Sequence, residues 1–541
     1  MRIHYTLPIA VLLLIPEHTI AQGGGASCGQ RIQAFGQEGV QFVDVSTYNL
    51  AGRSDYCEDI VQQTSGRIIL GGWYRTGGGG DNWNWALTGL SEEGMLDSTF
   101  GLNGKVRLNS TTLDLNSRAY ALAVESQSQK IYAAGAARID DSEPHSMTAL
   151  RFHENGNIDS TFGDNGRMFD IRLGSSSAQD IAVHHDGGLL MVGRAFDAAI
   201  CSKYLPNGDP DPTFGNDALP GLARLPGVGN FNALVVDPMD SSIVAVGKGF
   251  IDVIVARFTK EGQLDPSFAG TGWAVYDPDS FGYASDARAV ALDEYGRIIL
   301  TGTARSGANS LIMRLNRNGS ADPNFGVGGT VIMNPTSSVS ETNAVLVQSD
   351  CRIVVAGATN TFSTQVRPHM LLRFNPDGQL DDTFGEGGIM IDEYPVGANF
   401  NGTWNAVLLS RAGTLLLGGT GHDQSGTFPD FCVAEYQTCI DASTDCLLGP
   451  NSVESFEELT ADRIRLHPNP AVTTVSITVT SGTAISGIGI YDAVGRIAAP
   501  LLATKREGTV VLPIQTLLPG VYTLRIDMID GTKALTRLVK E

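Results

Sequence analysis

The sequence predicts an all-β protein: a seven-bladed β-propeller with four-stranded antiparallel blades, followed by a small Ig-like β-sandwich. Three observations lead to this fold class. A five-residue motif recurs at intervals of 52 to 65 residues, each interval contains four short apolar runs separated by turn residues, and residues 463–541 form a further set of short runs. A repeat of this length is typical of repeat architectures, in which each unit is one supersecondary element.

The motif is Asp-Xaa-Thr-Phe-Gly, with variation at its third and fifth positions. Its six copies are Asp97–Gly101, Asp159–Gly163, Asp211–Gly215, Asp265–Ala269, Asp322–Gly326 and Asp381–Gly385. A truncated copy, Phe35-Gly36, precedes them. Because the motif marks seven equivalent units, we expect seven blades.

The interval from Phe268 to Phe325 shows what one repeat contains. Runs of β-branched and apolar residues between Gly, Asn and Asp turns are typical of strands joined by hairpins. The four predicted strands are Trp273–Tyr276, Ala287–Leu292, Arg297–Gly302 and Leu311–Leu315. Four antiparallel strands are the content of one blade, so we expect each repeat to be one blade. The third strand is almost continuously apolar in all seven repeats, which predicts that neighbouring blades cover both its faces.

The two ends of the repeat region, residues 22–440, predict ring closure. The first unit begins late, at Phe35, and the last ends with the strand Phe431–Tyr436 and no motif after it. We therefore expect the N-terminal segment to complete the contacts of the last blade, so that no strand edge is left open.

Residues 1–21 have the features of a secretory signal peptide. Arg2 supplies the positive charge, Leu7–Ile15 is the apolar run, and Thr19–Ala21 is a small-residue cleavage site. That run is too short for a spanning helix, and no later run reaches the roughly 18 apolar residues that spanning requires. We expect an exported protein without a transmembrane helix.

The seven cysteines all follow the predicted cleavage site, where export permits disulfides. The candidates for disulfide bonding are Cys28, Cys432, Cys439 and Cys446. A bond from Cys28 to Cys439 or to Cys446 would join the two ends of the ring. Cys201 and Cys351 lie within or beside apolar runs, which favours buried free thiols. No paired Cys-Xaa-Xaa-Cys spacing indicates a metal site.

The formal net charge of −21 is unevenly distributed. Residues 441–462 have six acids and no base, which predicts an acidic linker, whereas residues 463–541 have nine Lys or Arg and five Asp or Glu. An acidic repeat region repels phosphate backbones, so nucleic-acid binding is disfavoured.

The repeats resemble the delta-60 repeat, a bacterial propeller-type repeat, over residues 31 to about 440. The match extends the motif to Gly-Xaa-Xaa-Asp-Xaa-Thr-Phe-Gly-Xaa-Xaa-Gly with a following Asp-Gly-Xaa-Ile-Leu-Xaa-Xaa-Gly. The family has no assigned reaction, so the resemblance implies a fold and no chemistry.

Residues 463–541 resemble the type A sorting domain of the type IX secretion system. The residues that carry the resemblance are Pro468, Asn469, Pro470, Gly495, Gly520, Tyr522 and Lys540. The resemblance implies a Bacteroidetes-type cell, export through the outer membrane by the type IX machinery, and a secreted or surface-attached product.

The aspartates that open each motif copy have two interpretations. Each carboxylate could cap the backbone N–H groups of its own turn, as Asx residues do. Alternatively, the acidic loops could bind calcium. Because the aspartate recurs in each of the six full copies, capping is favoured, and we expect no obligatory cofactor or metal. No hydrolase or kinase constellation is present in the sequence.

An unrepeated aromatic segment lies in the first repeat. It comprises Trp73, Tyr74, Asp81, Asn82, Trp83 and Trp85. Aromatic faces beside Asn and Asp provide the apolar area and directional polar groups that sugar binding needs. Packing between blades is the alternative role for these tryptophans.

Fold does not determine function, so three functions stay open. The favoured one is a non-enzymatic binding or adhesion module for a glycan or protein ligand. The others are a polysaccharide-degrading enzyme with carboxylates near the propeller channel, and a structural surface-layer protein.

Overall fold

A computed structural model places the chain in two β-rich regions. It describes residues 28–46, 54–75, 83–108, 117–138, 143–225, 227, 229–279, 282–336, 338–360, 367–392, 401–422, 428–439, 464–468, 471–479, 485–491, 497–506, 509–515, 517, 520–528 and 533–540. The predicted signal peptide (1–21) and linker (441–462) lie outside these residues.

The described part of residues 28–439 contains 28 strands and one short 3₁₀ turn, Ile171–Leu173. The strands are β1 (Val40–Val43), β2 (Ser54–Gln62), β3 (Ile68–Arg75), β4 (Trp83–Leu90), β5 (Lys105–Arg107), β6 (Arg118–Val124), β7 (Ile131–Ala137), β8 (Ser146–Phe152), β9 (Arg167–Asp170), β10 (Ser176–Val183), β11 (Leu189–Ala195), β12 (Ala198–Tyr204), β13 (Leu222–Leu225), β14 (Asn230–Val236), β15 (Ile243–Lys248), β16 (Val253–Phe258), β17 (Trp273–Tyr276), β18 (Asp286–Leu292), β19 (Ile298–Ala304), β20 (Asn309–Leu315), β21 (Thr330–Met333), β22 (Ser340–Val347), β23 (Ile353–Thr359), β24 (His369–Phe374), β25 (Ile389–Asp392), β26 (Thr403–Leu409), β27 (Leu415–His422) and β28 (Pro429–Tyr436).

These strands form seven four-stranded antiparallel sheets, which confirms the predicted all-β propeller. Blades 1 to 6 take four consecutive strands each, beginning with β2–β5 and ending with β22–β25. Blade 7 has the order β26-β27-β28-β1, so its outer strand comes from the N-terminal end of the repeat region. The first strand of each blade contacts the first strand of the next, and β26 returns to β2. The ring is therefore closed.

The sequence repeat and the blade are offset by one strand, which corrects the prediction that each repeat is one blade. The strand after each motif is the outer strand of the preceding blade: β17 pairs with β16, and not with β18. The motif thus lies inside a blade, in the connection between its third and fourth strands. The offset follows from ring closure, because the first complete blade begins after β1.

The motif joins each blade to the next, as blade 2 shows. Asp159 Oδ1 accepts the backbone N–H of Thr161 at 3.1 Å, and its Oδ2 accepts Arg151 Nε at 2.8 Å. The guanidinium lies 4.9 Å from the Phe162 ring centre and donates to Pro206 O of blade 3 at 2.6 Å. Asp159 therefore caps its own turn and also pairs with Arg151.

The phenylalanine of the motif packs under a glycine of the next blade. A Cβ on Gly156 would lie 2.9 Å from the Phe100 ring, and the φ of Gly156 is +83°. A side chain here would be both crowded and strained, so the contact requires glycine.

The ring joint repeats this arrangement with residues from the other end of the chain. Gly385 N donates to Cys28 O at 3.1 Å, and Gly29 packs against Phe384 in the place of a following blade's turn. A disulfide joins Cys28 to Cys439 with 5.2 Å between their Cα atoms. The joint is thus held by hydrogen bonds, ring packing and one covalent bond.

The other cysteines correct parts of the prediction. Cys432, a candidate for disulfide bonding, is instead a free thiol in β28, and its side chain is buried in the core between blades 6 and 7. Cys351 is disulfide-bonded and not free; it lies in the turn between β22 and β23, with φ 61°, and not inside a strand. Cys201 is a buried free thiol, as predicted, and Cys446 lies outside the described residues.

The described part of residues 464–540 forms two sheets around one core. The strands are β29 (Ile464–His467), β30 (Thr474–Val479), β31 (Ile485–Tyr491), β32 (Ile497–Arg506), β33 (Thr509–Pro513), β34 (Gly520–Met528) and β35 (Lys533–Lys540). They are ordered β29-β30-β33 and β32-β31-β34-β35. Buried residues of both sheets, including Ile477 and Leu524, share one core, as a β-sandwich requires. The Ig-like topology stays a prediction.

Candidate functional site

The two faces of the ring differ in regularity. The turn face carries the motif and the tight turns between first and second strands, which repeat from blade to blade. The loop face carries the connections between second and third strands and between successive blades, and these vary. In blade 3, for example, Phe196-Asp197 alone joins β11 to β12. Because a repeated turn serves packing, a site that is unique to this chain is expected on the loop face.

An aromatic cluster lies at the loop face of blade 1. The Trp73 and Trp83 rings meet edge to face with centroids 4.5 Å apart, and Tyr56 stacks on Trp73 at 4.1 Å. Trp73 is buried, whereas Trp83 keeps part of its surface exposed. In the pairing of β3 with β4, Trp73 is opposite Trp85 and Arg75 is opposite Trp83. Trp73 and Trp83 are therefore diagonal neighbours on one face of the sheet.

Arginine side chains cover this aromatic cluster. The guanidinium carbon of Arg118 lies 5.1 Å from the Trp73 ring centre and 5.0 Å from that of Trp83. Arg75 lies 5.2 Å from the Trp83 ring centre. These distances are in the range of cation–π attraction, which holds a guanidinium over an indole face. The tryptophans therefore support arginines from two neighbouring blades.

A carboxylate lies under the same cluster. Glu58 Oε1 accepts the indole N–H of Trp73 at 2.8 Å. Desolvation by burial raises the pKa of Glu58, and the hydrogen bond from Trp73 and the charge of Arg118 oppose this shift. Burial likewise raises the pKa of Tyr120, against the opposing effect of Arg118. Both side chains are held in a partly dry environment beside the arginines.

A cavity of about 680 Å³ opens on the loop face over blades 1 to 3. Its walls combine aromatic, hydroxyl and basic side chains. They comprise Trp83, Arg118, Tyr120, Ala136, Arg138, His145, Ser175, Ser176, Ser177, Arg194, Phe196 and Asp197. Its volume is within the range of small-molecule sites, and a few polar groups converge on an aromatic wall.

Glu58 and Tyr120 belong to a set of equivalent positions around the ring. In every blade a β-bulge adds one extra residue to the first strand. These residues are Glu58, Tyr120, Gln179, Asn232, Arg288, Asn343 and Asn405. Three of them donate to the backbone of the next blade: Asn232 to Ala287 O, Asn343 to Trp404 O, and Asn405 to Cys57 O, at 2.8, 3.1 and 2.8 Å.

Two further carboxylates lie just after bulges. Burial raises the pKa of Asp59 to about 7 and that of Asp180 to about 6. Asp59 accepts the N–H of Leu122 at 2.7 Å, and Asp180 that of Leu234 at 2.8 Å. Each carboxylate therefore hydrogen-bonds the first strand of the following blade.

The structure divides the residues predicted for a sugar site. Trp83 lines the cavity and Trp73 supports it. Trp85 is fully buried between blades 1 and 2, and Tyr74 is buried between blades 7 and 1 with its hydroxyl donating to Leu108 O at 3.3 Å. Tyr74 points away from Trp73 because alternate residues of a strand point to opposite faces of its sheet, whereas Trp85 lies on the same face as Trp83 but two residues further from the loop face. Asp81 and Asn82 lie outside the described residues.

The prediction missed Tyr56, Arg118, Tyr120 and Arg194. All four are near the loop-face end of a strand, but they belong to three different repeats, so no local cluster reveals them. Aligning the repeats on the bulge would have marked Tyr120, since the other bulge residues are Glu, Arg or amides. The proximity of Arg118 to Trp83 is a tertiary contact without a sequence signal.

The described residues of the predicted sorting motif lie close together. Gly520, at the start of β34, pairs with Lys540, and Lys540 also bridges Ala471, which follows the Pro468–Pro470 segment. Tyr522 is buried in the shared core, and Pro468 is exposed after a cis peptide bond. Asn469, Pro470 and Gly495 lie outside the described residues. One edge of the sandwich thus gathers both ends of the domain.

Two family models match the chain. Residues 296–325 and 348–384 match the family described as "Domain of unknown function (DUF5122) beta-propeller". Residues 465–541 match the "Secretion system C-terminal sorting domain". These matches confirm the predicted propeller repeat and the predicted type IX sorting domain; the Bacteroidetes origin stays a prediction. No curated protein matches the chain.

Several solved structures align with parts of the chain at low identity. A glucose dehydrogenase aligns at 12% identity over 46% of this chain and 78% of its own, with a TM-score of 0.30. The exo-β-1,3-galactanase of Phanerochaete chrysosporium with galactose aligns at 13% identity over 67% and 89%, with a TM-score of 0.28. A eukaryotic initiation factor aligns at 10% identity over 92% of each chain, with a TM-score of 0.27. Similarity at this level carries no argument about activity.

The sorting domain indicates the location of the protein. It indicates export and a secreted or cell-surface location. Among the described residues no helix is long and apolar enough to cross a membrane.

Proposed function

We propose that this chain, which joins a DUF5122 β-propeller to a secretion system C-terminal sorting domain, acts outside the cell as a non-enzymatic carbohydrate-binding protein. Its binding site is the loop-face cavity over blades 1 to 3. The observation that carries the proposal is the convergence of Trp83 and Tyr120 with guanidinium, imidazole and hydroxyl groups around about 680 Å³.

The chemistry of these walls matches the chemistry of sugars. A sugar ring has an apolar face and a border of hydroxyl groups, so it needs aromatic area together with directional donors and acceptors. Ser175 and Ser177 can donate and accept, and Trp83 and Tyr120 supply aromatic area. The cavity is also confined to one side of the ring, as expected for a site that does not follow the repeat.

A glycan array with the full mature chain, with and without calcium, tests this proposal. We expect binding that Trp83→Ala removes, while its melting temperature stays close to that of the wild type. Trp273→Ala is the matched control, because Trp273 is a partly exposed tryptophan at the turn-face end of β17. Absence of glycan binding, or equal binding by Trp83→Ala, would refute the proposed site.

One observation favours a second function, polysaccharide hydrolysis. The pKa values of Glu58, Asp59 and Asp180 are all raised by burial, as in many general acids. Asp59 and Asp180 already have a structural role, because each accepts a backbone hydrogen bond from the following blade. Release of reducing sugar from a bound glycan, abolished in Glu58→Gln, would favour the enzyme; binding without release would favour the binding module.

The sorting domain has its own test. Deleting residues 463–541 should leave the propeller in the periplasm, because the tail is the part recognised by the type IX machinery. Cell fractionation and surface proteolysis distinguish the two locations. Surface exposure of the truncated protein would contradict this role.

A further inference from the structure

We propose that the loop-face cavity binds a glycan chain of more than one sugar unit, and that Phe196 stacks on one of these units while Trp83 stacks on another. The inference rests on the proposed carbohydrate-binding function and specifies its substrate class. It follows from the position, the exposure and the backbone conformation of Phe196.

Phe196 lies in a turn whose geometry disfavours a bulky side chain. Phe196 and Asp197 form the two-residue hairpin turn between β11 and β12, and both have positive φ, 51° and 59°. Turns of this kind prefer Asn-Gly, Asp-Gly or Gly-Gly, because these residues tolerate the left-handed region. Among the described residues other than glycine that have positive φ, Phe196 is the one aromatic residue. The turn therefore holds an aromatic ring in a strained position that its geometry does not require.

The core of blade 3 makes little use of the Phe196 ring. Phe196 is 47% exposed, whereas Phe162 of the repeated motif is fully buried. The guanidinium carbon of Arg224 lies 5.8 Å from the Phe196 ring centre, and Arg224 also pairs with Asp217 at 3.1 Å. Strained residues concentrate at ligand sites, where the surrounding structure holds them in place. An exposed, strained ring in a cavity wall is therefore assigned to ligand contact.

Three aromatic rings line the cavity, and they come from three consecutive blades. Trp83 begins β4 of blade 1, Tyr120 lies in β6 of blade 2, and Phe196 follows β11 of blade 3. Blade 2 thus separates Trp83 from Phe196 along the circumference of the ring. Because a sugar ring stacks with one apolar face on one aromatic ring, aromatic rings on separate blades contact separate sugar units.

The size and the polar groups of the cavity also fit a chain. Its volume of about 680 Å³ is in the range that encloses a drug-sized ligand, which is larger than one sugar ring. Ser175 and Ser177 line it where the chain passes from blade 2 to blade 3. Ser177 Oγ accepts Gln179 Nε2 at 3.0 Å, so its own O–H can donate to a sugar hydroxyl.

The test measures how affinity depends on chain length, with the full mature chain. Cello-, laminari-, manno- and xylo-oligosaccharides, from the monosaccharide to the hexasaccharide, are titrated by calorimetry. The variants are Phe196→Ala and Phe196→Asn. Phe250→Ala is the control, because Phe250 is 86% exposed on the loop face of blade 4 and lies outside the described lining of the cavity.

We expect at least one series to bind more tightly as the chain lengthens. Phe196→Ala should weaken the longer members by about three- to tenfold, the range that one aromatic contact gives, and leave the monosaccharide unchanged. Phe250→Ala should keep the wild-type length dependence. Phe196→Asn should weaken the longer members too, while its melting temperature stays at or above that of the wild type, because Asn tolerates positive φ. A lower melting temperature of Phe196→Asn would contradict the assignment of the ring to ligand contact.

The outcomes separate this inference from the proposed function. Equal affinity for the monosaccharide and the hexasaccharide, lost in Trp83→Ala, would refute the chain and retain the carbohydrate site. Binding on the glycan array without binding of any of the four series would do the same. Length dependence that survives Phe196→Ala would refute the role of Phe196, and no binding of any glycan would refute both proposals. Where Phe196→Ala melts well below the wild type, Phe196→Tyr decides, because it keeps the ring and should keep the length dependence.

Discussion

Removing the disulfide at the ring joint is the perturbation with the largest expected effect on stability. Cys28 and Cys439 are 411 residues apart, and the bond closes nearly the whole propeller. The chain-entropy relation for a loop of that length gives about 6 kcal/mol of stabilisation through the unfolded state. The double variant Cys28→Ser/Cys439→Ser should therefore lose several kcal/mol, and β1 should separate from β28 more readily.

The assay is equilibrium unfolding of the mature protein in urea, followed by tryptophan fluorescence. Trp404 reports on the joint, because it packs in the same core as Val40 of β1. Cys201→Ala is the control: it removes a buried thiol in blade 3 and no cross-link. A double variant within about 1 kcal/mol of the wild type would refute the reasoning, since the predicted entropy loss is several times larger.

Three further predictions concern the contacts between blades. Burial acts to raise the pKa of Asp159, but its hydrogen bonds and the neighbouring charges lower the pKa overall. The stabilisation by Asp159 is therefore present above the unfolded pKa and is lost as the pH falls. Asp159→Asn should lower stability by about 3 kcal/mol at pH 7 and by less near pH 3, in unfolding curves measured at both pH values. The pKa of Asp59 is raised to about 7, so stability should decrease as the pH rises from about 4 to 7, and Asp59→Asn should flatten that slope; an unchanged slope would contradict the assignment. Gly156→Ala should lower stability by about 1–3 kcal/mol, because its Cβ would meet the Phe100 ring. Gly174→Ala is the control: Gly174 has φ +55° and no heavy atom within 4 Å of the added Cβ, so this variant bears only the backbone strain. Equal melting temperatures of the two variants would argue against the packing role.

Much of the fold could be predicted because the repeat is a local signal. Motif, turns and apolar runs lie within one interval, as the exact bounds of β17, Trp273–Tyr276, show. The blade boundary could not be located this way, because strand order along the chain is the same whether β17 pairs backward or forward. Hydrogen bonding to β16 decides it.

The candidate site could be predicted only in part. The unusual density of tryptophan indicated blade 1, but composition does not distinguish an indole at the surface from one in a core. Trp83 and Trp85 are two residues apart on β4, yet only Trp83 lines the cavity. Both side chains lie on the same face of the sheet, but Trp83 is at the loop-face end of β4, whereas Trp85 is two residues deeper, in the core between blades 1 and 2.

The sequence by itself determined the number of repeats, the all-β class, the sorting domain and the turn chemistry of the motif, because each depends on residues close together in the chain. The tertiary structure decided which strand closes the ring, which cysteines pair, and which arginines stand over Trp83. These depend on contacts between residues that are tens to hundreds of positions apart, from Arg118 over Trp83 to the 411 residues between Cys28 and Cys439. Packing of neighbouring blades and closure of the ring bring these residues together.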